Sequence, residues 1–279
     1  MTLSSKSPQT TKISITNLSL PHPISAPDVW GKQKDQPALL NVSLTLRGAG
    51  FSSAASLDKL DDSTIHYGNL AKKLRAGCSA GQNVLSLISA AEEAVMEMGR
   101  KGNGKFIVQE ARVEVGLCKA SMFGEQVKVV SVKRFGRDGV VEGEKWGFEV
   151  QEVKVMVLVG VNGYERQARQ PLVVGFGVWF DGKGSLESLF GLESLIVEII
   201  QDTSFETLET LVEHLVSELR TKTLDKSFPG SQLHLRIAKP RAIAFADAPV
   251  VEIIRDIPAA VQKKPTTAPA LCIMKPYSR

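Results

Sequence analysis

Two stretches of the chain lie over one another without a gap. They are Trp30-Gly-Lys-Gln33-Lys-Asp-Gln36-Pro37-Ala-Leu-Leu and Tyr164-Glu-Arg-Gln167-Ala-Arg-Gln170-Pro171-Leu-Val-Val. Each separates two apolar segments. A second echo sets Lys119-Ala-Ser-Met-Phe-Gly-Glu-Gln-Val127 against Arg241-Ala-Ile-Ala-Phe-Ala-Asp-Ala-Pro-Val250, each followed by an apolar run ending in a basic residue. A chain that repeats a unit of roughly 120–135 residues is constrained to one supersecondary design used twice.

The hydrophobic pattern defines that unit. Lys12–Leu20 reads as a strand, and Pro21, Pro23 and Pro27 then exclude regular structure up to Trp30. Ala38–Leu46 alternates Leu40, Val42, Leu44 and Leu46 with polar residues, a half-buried antiparallel strand. Ser52–Asp62 is a polar connection. A helix opens at Thr64 with Leu70 and Leu74 on one face, and a stronger one covers Asn83–Met98. Phe106–Leu117 and Gln126–Val132 are strands, so the unit is ββααββ. Gly139, Gly143 and charges mark Arg137–Lys145 as a linker. The second unit repeats the order: strands Val150–Val159 and Leu172–Phe180, a helix Leu186–Ile200, a helix Phe205–Arg220, and strands Gln232–Ala238 and Val250–Ile257. Thr203 and Glu206 have the spacing of a capping box for the second of these helices. Met1–Thr11 has no secretory pattern, and Pro258–Arg279 reads as a flexible tail. The expected domains are 12–136 and 147–257. Helices cover one face of each four-stranded antiparallel sheet, so edges and the other face call for partners.

Composition narrows the function. A net charge of +4 on 279 residues, without basic clusters, argues against nucleic acid. Cys78, Cys118 and Cys272 form no CxxC pair, which fits a reducing compartment, and His22, His66, His214 and His234 lack metal-ligand spacing. No apolar run reaches the ~20 residues of a membrane helix. The expectation is a cytoplasmic protein with no membrane partner. Glu165 sits at the tip of the loop Gly160–Pro171 between two strands, a common place for chemistry.

Four pieces, taken in order, resemble one family: Ile65-His66-Tyr67-Gly68, Gly160-Val-Asn-Gly-Tyr-Glu-Arg-Gln-Ala-Arg-Gln-Pro171, Thr203-Ser-Phe-Glu-Thr-Leu-Glu209-Thr-Leu-Val-Glu-His214 and Ala238-Lys239-Pro240-Arg-Ala242. The chain resembles the dihydroneopterin aldolases of folate biosynthesis, in the tandem form found at the front of fungal multifunctional folate-synthesis proteins. The resemblance covers residues 12–257. It implies an α+β architecture of two tandem tunnelling-fold (T-fold) units, and a lyase that splits 7,8-dihydroneopterin into 6-hydroxymethyl-7,8-dihydropterin and glycolaldehyde. It implies no metal and no cofactor, because the pterin's own C6=N5 imine accepts the electrons. Glu209 then corresponds to the pterin anchor, with Leu208 beside it. Ile65 and His66 lend backbone groups to the pterin, and Glu165, Lys239 and Tyr67 are catalytic. The family's rings of four units, stacked in pairs, imply two of these chains per ring and four in the particle.

The departures are complementary. In the first unit the glutamate position is Gly31, the anchor falls on or beside Ser86, and the lysine position is Leu117. In the second, the tyrosine position falls on Leu189 or Phe190. A competing reading is a non-catalytic T-fold protein that binds a pterin or scaffolds other enzymes. A metal-dependent T-fold enzyme is disfavoured by the histidine spacing.

Overall fold

The computed structural model describes residues 10–48, 51–102, 104–182 and 186–259; Cys272 and the rest of the expected tail lie outside them. The order of elements is β1 (Thr11–Ser19), β2 (Ile24–Pro27), β3 (Gln33–Gln36), β4 (Leu39–Leu46), α1 (Ser52–Leu57), α2 (Tyr67–Ala76), α3 (Val84–Gly99), β5 (Val108–Leu117) and β6 (Gln126–Phe135). There follow β7 (Val141–Val157), β8 (Gln170–Phe180), α4 (Leu192–Gln201), α5 (Leu208–Leu219), α6 (Asp225–Ser227), β9 (Gln232–Ala238) and β10 (Val250–Asp256). Eight strands form one antiparallel sheet in the order β1-β4-β5-β6-β7-β8-β9-β10. The architecture is α+β around a large antiparallel sheet.

Alternation makes the sheet two-faced. In β4, Leu40, Val42, Leu44 and Leu46 are buried while the residues between them are half-exposed. The helices lay Leu87, Ile88, Ala91 and Val95 of α3, and Leu211, Val212, Leu215 and Leu219 of α5, on that apolar face. The opposite face is polar. There Arg112 pairs with Glu114 and Glu149 and stands over the Trp179 ring. No helix among the described residues is long and apolar enough to cross a membrane.

The structure corrects several expected boundaries. Arg137–Lys145 is not a linker. Gly136 and Val140 close a tight turn, Gly139 adopts φ +85°, and β7 begins at Val141. One sheet therefore runs through both halves. The proline-rich stretch contains β2, which pairs with β3 as a small ribbon; Pro27 is tolerated at the ribbon's end. Ser52–Leu57 is a short helix rather than a bare connection. The helix expected from Thr64 starts at Tyr67, capped by His66. The helix expected over Leu186–Ile200 is broken into a 3₁₀ turn at Leu186–Leu189 and α4. Thr203 caps nothing ahead of it. Its hydroxyl donates to the Ile200 carbonyl at the end of α4, and Thr207 caps α5 instead.

The two halves meet between β6 and β7. Glu193, on the first turn of α4 and 5% exposed, reaches the β5–β6 loop. Its carboxylate accepts from Ser121 Oγ (2.6 Å) and from the backbone N–H groups of Met122, Phe123 and Gly124 (each 3.0 Å). Removing this acceptor strands buried donors, which costs about 3 kcal/mol. Glu193→Ala should shift the urea midpoint accordingly at unchanged slope, with Glu193→Gln losing less. A change below about 0.5 kcal/mol would contradict this account of the junction.

Candidate active site

The loop between β7 and β8 is built so that one carboxylate faces inward. Gly160 has φ +152°, and a Cβ there would stand 2.4 Å from Glu165 Cβ and 2.7 Å from its Cδ. Only glycine lets the Glu165 side chain fold back over the backbone. Gly163–Arg166 forms a single 3₁₀ turn. Glu165 Oε2 accepts from Asn162 N (3.0 Å) and Asn162 Nδ2 (2.9 Å). Gln170 Nε2 ties the loop's ends, donating to the carbonyls of Val159 (3.0 Å) and Glu165 (2.5 Å). Gln36 makes the corresponding bridge in the first half, to Ala26 and Pro27.

Lys239 follows the last residue of β9, and its side chain is only 7% exposed. Its ammonium donates to Glu165 Oε1 at 2.5 Å and to the Val159 carbonyl at 3.1 Å. Lys239's bond, followed by those of Asn162, holds the Glu165 carboxyl down at about 2. The sign follows directly. The pair's contribution to stability is complete above pH 4.5, the ordinary value, and is lost as pH falls toward 2. The stability difference between wild type and Glu165→Gln should therefore be flat from pH 5 to 7 and shrink below pH 4. Denaturant titrations across that range measure it, and a difference that grew on acidification would contradict it.

Arg166 joins the loop to the next element. Its guanidinium donates to the carbonyls of Gly160 (3.3 Å), Phe205 (3.3 Å) and Ser204 (2.9 Å). That staple holds the segment before α5 against the Glu165 loop. Thr207 Oγ1 then accepts from Thr210 N (3.2 Å), which starts α5 with Leu208 buried and Glu209 exposed in its first turn. The Glu209 carboxylate has no protein partner among the described residues. Glu165, Lys239 and Glu209 thus gather on one half of the chain.

Tyr67, His66 and Ile65 do not join them. They sit at the start of α2, which packs on β1 at the far edge of the sheet. Six strand spacings separate β1 from β9, roughly 29 Å measured along the sheet. Ile65 is buried, and Tyr67 is 66% exposed. The His66 imidazole is engaged as the cap of α2, with Nδ1 accepting from Gly68 N (3.1 Å) and Asn69 N (3.3 Å).

The ladders also fix what replaces these groups in the first half. Gly116 pairs with Leu39 as Ala238 pairs with Val173, so Leu117 occupies the position of Lys239. Asn83 and Thr207 cap α3 and α5, which puts Leu85, beside Ser86, at the position of Glu209. Gly31 stands at the Glu165 position with φ +72°. Leu189, Phe190 and, counted from the cap of α4, Leu192 all lack a hydroxyl. Leu85, Val129, Leu186 and Phe190 line a cavity of about 100 Å³ at the internal junction, far below the ~300–1,000 Å³ of small-molecule sites. A shallower groove of about 650 Å³ beside it carries Trp30, Gly31 and Glu187 but no lysine.

Sequence reasoning singled out Glu165 and Lys239 but not the residues that orient them: Gly160, Asn162, Arg166 and Gln170. The repeat held one signal, because Gln36 and Gln170 occupy matched positions. Among the described residues, no group of His, Cys, Asp and Glu is arranged to hold a metal ion.

Comparison with known proteins sharpens the picture. Residues 148–254 match the family model described as FolB, dihydroneopterin aldolase. That segment contains Glu165, Glu209 and Lys239 but not Tyr67. Escherichia coli dihydroneopterin aldolase, solved in complex with neopterin, is 20% identical over 39% of this chain and 97% of its own, with a TM-score of 0.34. Uricase from Arthrobacter globiformis is 8% identical but covers 94% of this chain and 98% of its own, with a TM-score of 0.55. A mutant urate oxidase from Bacillus sp. TB-90 is 10% identical over 88% of this chain and 99% of its own, with a TM-score of 0.51. At that identity the likeness of these two shows the fold alone. No curated protein sequence matches the chain.

Proposed function

We propose that this chain, whose residues 148–254 form a dihydroneopterin aldolase-family domain, catalyses the retro-aldol cleavage of 7,8-dihydroneopterin. The observation that carries the reading is the close Lys239–Glu165 pair, held within the matched segment on the same half of the chain as an unpaired carboxylate, Glu209. In this reading Glu209 accepts two parallel N–H bonds from the pterin's amino-pyrimidinone edge, with Leu208 beneath it. Lys239 acts with a bound water as a proton shuttle: the water carries the 2′-hydroxyl proton to the amine as the ammonium passes one of its own to the Glu165 carboxylate. The C1′–C2′ bond breaks, glycolaldehyde leaves, and the electron pair moves into the C6=N5 imine. C1′ then receives a proton, giving 6-hydroxymethyl-7,8-dihydropterin. Between turnovers the Glu165 carboxylate, held well below its ordinary value by Lys239 and Asn162, keeps Lys239 in place.

Tyr67 supplies the proton path at C1′ from a second chain, with Ile65 and His66 lending backbone groups to the pterin. The geometry supports action in trans, since one chain holds Tyr67 and Lys239 at opposite ends of its sheet. Two tandem T-fold units per chain then alternate around a ring of two chains, and two rings stack into a four-chain particle. Junctions between chains are complete. Those inside a chain, with Gly31, Leu85 and Leu117, are not.

Release of glycolaldehyde from 7,8-dihydroneopterin by the purified chain tests the activity; pterin binding without release would favour the non-catalytic reading. The anchor has its own expected result. Glu209→Ala should weaken pterin affinity by about 2–4 kcal/mol in calorimetry, because it removes a charged, bidentate contact. Affinity equal to wild type would contradict the assignment.

A further inference from the structure

Arg166 is a partly buried cation without a carboxylate. It forms no ion pair among the described residues, and its guanidinium donates to backbone carbonyls. A guanidinium used in this way serves by its shape. Its N–H groups form a rigid planar fork that a flexible ammonium does not reproduce. Nη1 is shared by the carbonyls of Gly160 and Phe205, and Nη2 holds that of Ser204.

These carbonyls belong to two segments. Gly160 lies in the loop that folds Glu165 back, whereas Ser204 and Phe205 stand three and two residues ahead of the Thr207 cap of α5. Phe205 is fixed to α5 in turn, because its ring packs edge-on against His214 of that helix, with centroids 5.1 Å apart. A line of contacts therefore runs from Lys239 through Glu165 and Arg166 to the helix that carries Glu209.

The first half makes the same connection differently. Lys32 occupies the position of Arg166, is exposed, and makes no side-chain hydrogen bond among the described residues. There a backbone bond ties the loop to the helix: Ser25 N donates to Gln82 O at 2.9 Å, one residue ahead of the Asn83 cap of α3. In the second half no backbone hydrogen bond among the described residues joins the two segments, and the tie is Arg166. The half that carries Glu165, Lys239 and Glu209 is thus the half that spends a side chain on this link.

We infer that Arg166 is a positioning residue, which sets the spacing between Glu209 and the Lys239–Glu165 pair. The tie rests on the geometry; its catalytic consequence rests on the aldolase reading, in which Glu209 holds the pterin and Lys239 moves the proton. Arg166→Ala should lower turnover about a hundredfold, the cost of roughly 1 Å of misplacement at a reacting centre. Affinity for a dihydropterin lacking the C6 side chain should stay that of wild type, because such a ligand reads the anchor and not its distance from Lys239. Arg166→Lys, which keeps the charge without the fork, should lose turnover as well. In a Lys239→Ala chain, Arg166→Ala should cost little further turnover, since no proton relay is left for the spacing to serve. Losses that add in full in the double variant, or an Arg166→Lys chain as active as wild type, would overturn the role. Hydrogen exchange over residues 203–211 keeps the two readings apart. A wild-type chain that releases no glycolaldehyde contradicts the aldolase, and faster exchange in Arg166→Ala then still upholds the tie. Unchanged exchange in that variant of an active enzyme contradicts the tie alone.

Discussion

Lys239→Ala is expected to lower turnover at least a hundredfold while changing pterin affinity little. General acid–base catalysis by one positioned group contributes about 10²–10⁴-fold, and that is the whole of what this substitution removes from the chemical step. Affinity is retained because the proposed anchor carboxylate, Glu209, lies on a different element, the first turn of α5. The substitution also leaves the Glu165 carboxylate with Asn162 alone. The variant therefore needs a folding control, and Lys239→Met fills the same volume without the charge. Single-turnover kinetics with a separate binding titration measure both quantities. A variant that lost affinity in proportion to turnover would place Lys239 in binding rather than in proton transfer.

The second large effect is recovery rather than loss. Tyr67→Phe chains and Lys239→Ala chains should each be nearly inactive alone. Mixed and allowed to exchange, they should regain up to about a quarter of wild-type activity. Random pairing makes half of the two-chain rings mixed, and each mixed ring joins an intact Lys239 to an intact Tyr67 at one of its two junctions between chains. A site closed within one chain predicts no recovery at all. The positions of the two residues, on β1's edge and after β9, favour recovery.

How much of this was legible in the sequence varies from residue to residue. The alternation of Leu40, Val42, Leu44 and Leu46 announced β4, and the spacing of Leu211, Leu215 and Leu219 announced α5, because burial on one face is written in apolar period. The motifs singled out Glu165 and Lys239 and the structure brings the two into contact, while the register of β4 with β5 and β8 with β9 sets Leu117 at the position of Lys239. Other features follow from tertiary contacts that local patterns do not encode. Thr203 and Glu206 have capping-box spacing, but the Thr203 hydroxyl is spent on the end of α4. The glycines and charges at Arg137–Lys145 suggested a linker, yet they form a hairpin turn that keeps the sheet continuous. Glu193 gave no sign of being buried, since its four donors come from a loop about seventy residues away. Prolines concealed the β2–β3 ribbon for a different reason: they forbid a central strand but not a short edge.

The central claim is that complete junctions alternate with incomplete ones, so that the two halves of the chain share one working site. A calorimetric titration of the assembled protein with a tight-binding pterin counts those sites directly. One equivalent bound per chain is the expected result. Two equivalents per chain would contradict the alternation, because the junction with Gly31, Leu85 and Leu117 would then hold pterin as well.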